Sequence, residues 1–259
     1  METIDVQRKR SGSVVEITLD DPPLNILDLK ALEELVEAFG GLQDDSDLAA
    51  IVVSANGDAF SAGADIGDHL PGVVETMIPT FHEVFRKMWS LDVPTVASVQ
   101  GRALGGGMEL AIGCDFIVAT QDALFGQPEI KVGVFPPVAS LLLPRRIPWS
   151  RALELIVTGD NISAPEAQRL GIVNRIVEPG ALAEATDEFV GSFAASSPPV
   201  VRLAKRAARR GRRRADTGEL LRALDDIESM YLDELMELDD PEEGLRAFME
   251  NRKPEWKGR

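Results

Sequence analysis

The sequence reads as an α/β protein followed by a helical C-terminal region, on three observations. Short apolar runs alternate with segments of helical periodicity, and residues 14 to 54 give the first strand, helix, strand crossover. Beyond Ser163 the strand signals thin out and helical ones take over. Between these, residues 101 to 137 hold a glycine-rich junction, Gly105-Gly106-Gly107, that runs into a carboxylate and a short apolar segment.

The elements follow in order. Val14 to Leu19 suits a strand that Pro22-Pro23 ends. Asp28 can cap a helix in which Leu29, Leu32, Leu35, Val36 and Phe39 recur at helical spacing until Gly40-Gly41 stops it. Ala49 to Ser54 is a short apolar strand, and NGDAFSAGAD after it is a loop. A helix from Val73 to Ser90 leads through Pro94 to a strand, Thr95 to Val99, which feeds the glycines. A further strand is expected over Asp115 to Ala119, a capping box at SAPE (163 to 166), and a last short strand within Gly171 to Val177. Pro198-Pro199 then separates residues 1–197 from a terminal helical region, 198–259.

Composition sets limits. A chain of 259 residues, 44% hydrophobic and 27% charged, is long enough for one or two domains with a buried core. A net charge of −16 argues against general attraction to nucleic acid or anionic membrane. The exception is residues 202 to 214, where Arg202, Lys205, Arg206, Arg209, Arg210, Arg212, Arg213 and Arg214 appear with no acid among them. That stretch is either a solvated helix face or a local site for a polyanion. The single cysteine, Cys114, excludes an internal disulfide, and its apolar setting suits an inert buried thiol. With neither a signal-peptide pattern nor an apolar run of about 18 residues, the protein is expected to be cytoplasmic and not to engage a membrane.

The chemistry is expected at the glycines. Without Cβ atoms they let a ligand approach the backbone, and the run Leu110-Ala111-Ile112 suggests a buried helix starting there. A helix N-terminus offers free N–H groups and positive dipole, which suit an oxyanion. Glu109 falls in its first turn, where burial would raise its pKa and fit it for general acid–base work. Neither a G-x-G-x-x-G nor a P-loop pattern is present, so dinucleotide binding and phosphoryl transfer drop out. His69 and His82 are expected to be structural or exposed, and no His/Cys/Asp cluster has metal-ligand spacing.

Residues 97 to 130, ASVQGRALGGGMELAIGCDFIVATQDALFGQPEI, resemble the signature region of the enoyl-CoA hydratase/isomerase (crotonase) family. The likeness extends from Asn25 through AFSAGADI (59 to 66) to EGLRAFMENRK (243 to 253). It implies a spiral of β-β-α turns with a C-terminal region used in oligomerisation, a homotrimer or dimer of trimers. It also implies an acyl-CoA thioester as substrate, with coenzyme A part of that substrate and no separate cofactor or metal. The thioester oxygen would sit in an oxyanion hole made by the backbone N–H groups of Ala64 and Gly106. Glu109 and Glu129 match the two glutamates that hold water in the family's hydratases. Ala62, Asp65, Ile66, Gly105, Pro136, Pro137 and Phe248 match positions that line the substrate, while Arg252 and the 202 to 214 cations are candidates to meet the coenzyme's phosphates.

The sequence departs from the family where the water is held. Hydratases continue after the second glutamate into a Pro-Gly-Ala-Gly-Gly run, with a glycine amide on the nucleophile; here the chain reads Phe135-Pro136-Pro137-Val138-Ala139-Ser140. Pro137 has no N–H. The GVFPPVAS form resembles the branch that hydrates cyclic dienoyl-CoA thioesters. Hydration is thus the first expectation. An isomerase, or a thioester or C–C hydrolase sharing the oxyanion hole, is the alternative enzyme, and a nucleic-acid module built on the arginine-rich stretch is the alternative of another class.

Overall fold

The computed structural model describes residues 3–211 and 217–255. A six-stranded sheet runs β1 (Ile4–Lys9), β2 (Val14–Leu19), β3 (Ala50–Ala55), β4 (Thr95–Val99), β6 (Phe116–Thr120), β9 (Arg175–Val177) in spatial order. β1 pairs antiparallel with β2, and the remaining neighbours are parallel. Parallel neighbours need crossovers. Here each crossover is one turn of a spiral: a strand of the large sheet, a short second strand or single bridge, then a helix.

In the first turn β2 leads to a bridge between Leu27 and Ala64 and then to α1 (Leu29–Gly40). In the second, β3 leads to a bridge between Ser61 and Ala103 and then to α2 (Val74–Ser90). The third is complete, with β4, β5 (Arg102–Leu104) and α3 (Gly106–Gly113). The fourth runs β6, β7 (Leu124–Gly126) and α4 (Pro137–Arg146). β5 and β7 form a second small sheet with β8 (Asn161–Ser163). Sequence periodicity alone would not have closed this spiral, because its second layer is built from three-residue strands and isolated bridges.

The period of two in the strands divides the large sheet between two apolar clusters. Val15, Ile17, Ile51, Val53, Ala97, Val99 and Ile117 enter the main core, whereas Val14, Val52, Val96 and Val118 face the other cluster with Val190, on α7 (Leu182–Ala194). Local signals hold where they are chemically explicit. The Asp28 side chain accepts from Ala31 N at 2.8 Å, and Ser163 accepts from Glu166 N at 3.4 Å at the start of α6 (Ala164–Leu170). The return bond of a capping box is replaced, since Glu166 bonds Arg151 at 2.6 Å and Arg169 at 2.9 Å.

Two expectations change. β1 carried no strand pattern because it lies at the sheet edge, with Ile4 buried and Val6 exposed. The helical part begins before Ser163, at α4 and α5 (Trp149–Thr158). Pro137 hides the start of α4, yet proline belongs at a first helical position, where its missing N–H removes no helical bond.

The terminal helices α8 (Pro198–Gly211), α9 (Thr217–Ser229) and α10 (Asp239–Met249) do not carry a separate core: Leu224, Tyr231 and Leu245 are in the main cluster. The basic helix is a latch. Arg202 donates to Asp45 O at 2.7 Å and Leu48 O, Lys205 to Val93 O at 2.7 Å, and Arg209 to Trp89 O at 3.1 Å. Lys205 also meets Asp115 at 2.6 Å, and the same carboxylate accepts from Thr95 N, so the latch closes on the starts of β4 and β6.

Asn25 fixes the loop that follows β3. It is buried, adopts φ 49°, accepts from Asp21 N, and donates to Asn56 O and Ala59 O at 2.8 Å each. Asn25→Ala leaves those carbonyls unpaired and loses a residue suited to the left-handed region, a cost of about 2–4 kcal/mol. Chemical denaturation should show the loss, and a variant within 0.5 kcal/mol of wild type (about the level of an ordinary surface change) would contradict it.

Candidate active site

Each glycine of the triplet is required for its own reason. Gly105 has φ 51°, and a Cβ there would lie 2.7 Å from Glu129 Oε1. A Cβ on Gly106 would come 3.3 Å from the backbone nitrogen of Ala64, and one on Gly107 would come 2.5 Å from Ser61 O. The start of α3 is thus pressed against the 61–64 loop with no room for side chains. Two backbone pairings hold the approach, Ser61 N to Arg102 O at 3.0 Å and Leu104 N to Ser61 O at 3.0 Å.

The approach sets two amides side by side. Gly106 is the first residue of α3, where no intrahelical acceptor exists for its N–H, and Ala64 N takes no backbone partner among the described residues. Gly105 N is different: it donates to Gly126 O at 2.9 Å. The pair Ala64 and Gly106 can therefore receive one oxygen between them, with the dipole of α3 behind it.

The two carboxylates flank this point. Glu109 is 2% exposed and lies one helical turn after Gly105, whose carbonyl accepts its N–H at 2.9 Å. Its Oε1 accepts from Ala139 N at 2.8 Å, and Val138 N also bonds the carboxylate, so Glu109 caps the start of α4. Burial raises the Glu109 pKa to about 7, with those two amides pulling against the rise. Glu129 sits in the 3₁₀ turn Pro128–Val132, where the accessible part of the residue opens only on the cavity and its carboxyl is enclosed by protein. Burial first, then the charge of Glu109, hold its pKa well above the ordinary carboxylate value. With its amide nitrogen turned toward the acid, the buried Gln127 lies 3.1 Å from both Glu129 oxygens. Two backbone amides of α4 favour the ionised form of Glu109, whereas the charge of Glu109 adds to burial in raising Glu129, so Glu129 holds its proton to higher pH than Glu109.

A cavity of about 680 Å³ opens over these groups. Ala62, Ala64, Asp65, Ile66, Gly105, Gly106, Glu109, Glu129, Pro137 and Phe248 line it. Pro136, expected with them, does not: it is buried as the cap of α4, and its carbonyl accepts from Ser140 N. Asp65 reaches the wall, but its carboxylate is committed to Gly67 N at 2.7 Å. A groove of about 770 Å³ lies elsewhere, between the large sheet and α7, and holds none of these catalytic candidates.

Both histidines are buried rather than exposed, and burial lowers the pKa of each. His69 bonds Asp65 O at 2.8 Å through Nδ1 and lines the cavity, while His82 ties α2 to α9 through Glu228 at 2.7 Å. Cys114 is buried and its thiol is pushed up to about 12 by that burial, so it is inert. The expected phosphate contacts change most. Arg202, Lys205 and Arg209 are spent on the latch described above, Arg206 lies 3.6 Å from Asp92, and Arg252 is held by Glu243 and Glu250. The side chains of Arg210 and of Arg212, Arg213 and Arg214 lie outside the described residues.

A β-β-α spiral with paired amides and two glutamates brought together from its third and fourth turns defines a crotonase-type enzyme. Comparison with known proteins agrees: the chain matches the Enoyl-CoA hydratase/isomerase family over residues 9–259, and it belongs to that family. It is 35% identical to cyclohexa-1,5-dienecarbonyl-CoA hydratase of Thauera aromatica, over 99% of this chain and 97% of that protein. It is 34% identical to a short-chain-enoyl-CoA hydratase of Clostridium acetobutylicum, over 98% of each. The crystal structure of carnitinyl-CoA hydratase from Mycobacterium avium superposes with a TM-score of 0.85 at 31% identity, covering 100% of both chains.

The raised pKa of Glu109 has a stability consequence. The folded protein holds this proton more tightly than the unfolded chain, so the contribution is fully present below pH 4.5 and is lost as pH rises through about 7. At 1.36 kcal/mol per unit the loss amounts to roughly 3 kcal/mol. Glu109→Gln lacks it. The melting temperature of Glu109→Gln relative to wild type should therefore climb between pH 4.5 and 7, and a difference that stayed flat across that window would exclude a buried, titrating Glu109.

Proposed function

We propose that the protein adds water across the double bond of an α,β-unsaturated acyl-CoA thioester, and that its acyl group is a cyclic diene. The single observation that carries the reading is the pair of buried glutamates, held in different environments, beside two free amides. The Ala64 and Gly106 N–H groups take the thioester oxygen and stabilise the negative charge that grows there as the enolate forms, an effect of about 10²–10³ in rate for one donor. Glu109, ionised near neutrality, accepts a proton from water as its oxygen joins the β-carbon. Glu129, still protonated, gives a proton to the α-carbon. Neither carboxylate bonds the substrate, and coenzyme A leaves with the product as its thioester.

The cyclic acyl group is supported by the likeness to the Thauera aromatica hydratase and by the wall around the reacting carbon. Pro137 stands where the resemblance implies a glycine, and with Phe135 it makes a bulky wall beside the apolar Met77, Ile78 and Phe81. Phe248, more than half exposed at the cavity rim, is read as the aromatic that meets the coenzyme. Residues 198–259 are read as the region through which copies associate, as a trimer or dimer of trimers, in the cytoplasm. Pro137 is also the observation that favours the isomerase alternative, since it removes a partner of the water.

Three measurements test this reading. Purified protein with linear and cyclic enoyl-CoA thioesters should give a product heavier by the mass of one water; products of unchanged mass throughout would establish isomerisation instead. Glu109→Gln and Glu129→Gln should each lower kcat by about 10²–10⁴ with KM little changed, and the double variant should be little worse than the poorer single one. Full hydration by Glu129→Gln would defeat the pairing. Gly106→Pro removes one oxyanion donor and should cost about 10²–10³ in kcat; a folded variant with full turnover would move the oxyanion site elsewhere.

A further inference from the structure

Tyr231 is the chain's only tyrosine, and the activity as described above makes no use of it. It comes from the π-helical turn Met230–Leu235 in the C-terminal region and is 1% exposed. Its ring stands edge-on to Phe135 with centroids 5.2 Å apart and lies 6.4 Å from the ring of His69, and both neighbours line the cavity. Its hydroxyl is buried with no hydrogen-bond partner among the described residues. Phenylalanine would pack in the same place without the cost of burying an unpaired O–H. A π-turn inserts one extra residue into a helix, and such turns concentrate at functional sites.

Two further observations bear on what the unpaired hydroxyl can do. Its ionisation is held well above the usual tyrosine range by burial and then by the charges of Glu129 and Glu109, so it remains a neutral donor in the neighbourhood of both carboxylates. At the same place a donor is missing from the backbone. Pro137 has no N–H, and the next two amides of α4, Val138 and Ala139, are both taken by Glu109.

We propose that the Tyr231 O–H donates to the water shared by Glu109 and Glu129, holding it in place of the backbone amide that Pro137 lacks. Tyrosine keeps its proton throughout; it orients the water and leaves proton transfer to the glutamates. It is a positioning residue, supplied to the site by the C-terminal helical region. The titratable groups around it are Glu109, Glu129 and His69. The inference rests on the hydratase reading.

Tyr231→Phe keeps the ring contacts and removes only the hydroxyl. It should lower kcat for hydration about 10–100-fold, less than the 10²–10³ of a lost oxyanion donor because the hydroxyl only orients the water, with KM within twofold and the melting temperature equal or higher. Adding Pro137→Ala, which restores a backbone N–H, should recover part of that rate. Infrared titration of the buried carboxyl groups without substrate gives a readout independent of turnover: loss of the donor should move the pair's midpoint to higher pH. If Tyr231→Phe does not fold, 3-fluorotyrosine at this single tyrosine changes the donor strength at nearly constant shape, and kcat should change at least twofold. Unchanged kcat with an unchanged carboxyl titration, or a lowered melting temperature with full kcat, would overturn the role of Tyr231. A wild-type enzyme that hydrates no enoyl-CoA while the carboxyl midpoint still shifts would sink the hydratase reading and the shared water with it.

Discussion

The close backbone approach between the start of α3 and the 61–64 loop is the constraint from which the site follows. It brings the Gly106 and Ala64 amides within reach of one oxygen, and it tolerates no Cβ at Gly107 against Ser61 O, where the gap would be 2.5 Å. The approach is held by strand-like bonds between Ser61 and β5 and by the Asn25 side chain beneath the loop. Fixed amides need no reorganisation when charge develops on the substrate, and this is why a rigid turn between a strand and a short buried helix suits the chemistry.

The same packing buries the two glutamates, and burial works against the charged form of each. The chain resolves this unequally. Glu109 is met by the Val138 and Ala139 amides at the N-terminus of α4, which favour an anion, whereas Glu129 faces Glu109 itself. Two like side chains thereby acquire different proton affinities near neutrality, the condition under which one can act as base and the other as acid. The arrangement opposes stability at higher pH, as strained or desolvated functional groups generally do.

The C-terminal helices complete the spiral. Leu224, Tyr231 and Leu245 extend the main core, α10 lays Leu245 and Phe248 on the cavity, and the basic helix α8 fastens to the starts of β4 and β6. Arginines in such a run look like a polyanion site in sequence. In the fold Arg202 and Lys205 satisfy carbonyls in the segments leading into β3 and β4, and Arg209 satisfies those at the C-terminus of α2, where the helix dipole favours a cation. A net negative protein can thus carry a dense basic segment whose described members meet its own carbonyls and carboxylates.

Sequence alone determined what is local in cause. Asp28 and the period of Leu29 to Phe39 specified α1, the alternating valines and isoleucines specified β2 to β4, and the glycine triplet with FGQPE marked the family and its two glutamates. Tertiary structure decided what depends on residues far apart in the chain. It placed Ala139 N on Glu109, 30 residues away, revealed Pro137 as the first residue of a helix, and withdrew Pro136 from the cavity. It packed a lone tyrosine from a helical segment against Phe135 and near His69, two residues of the cavity wall. No periodicity records such meetings, because side-chain pattern reports which face of an element is apolar, while the partners of a buried polar atom are chosen only when separate turns of the chain pack together.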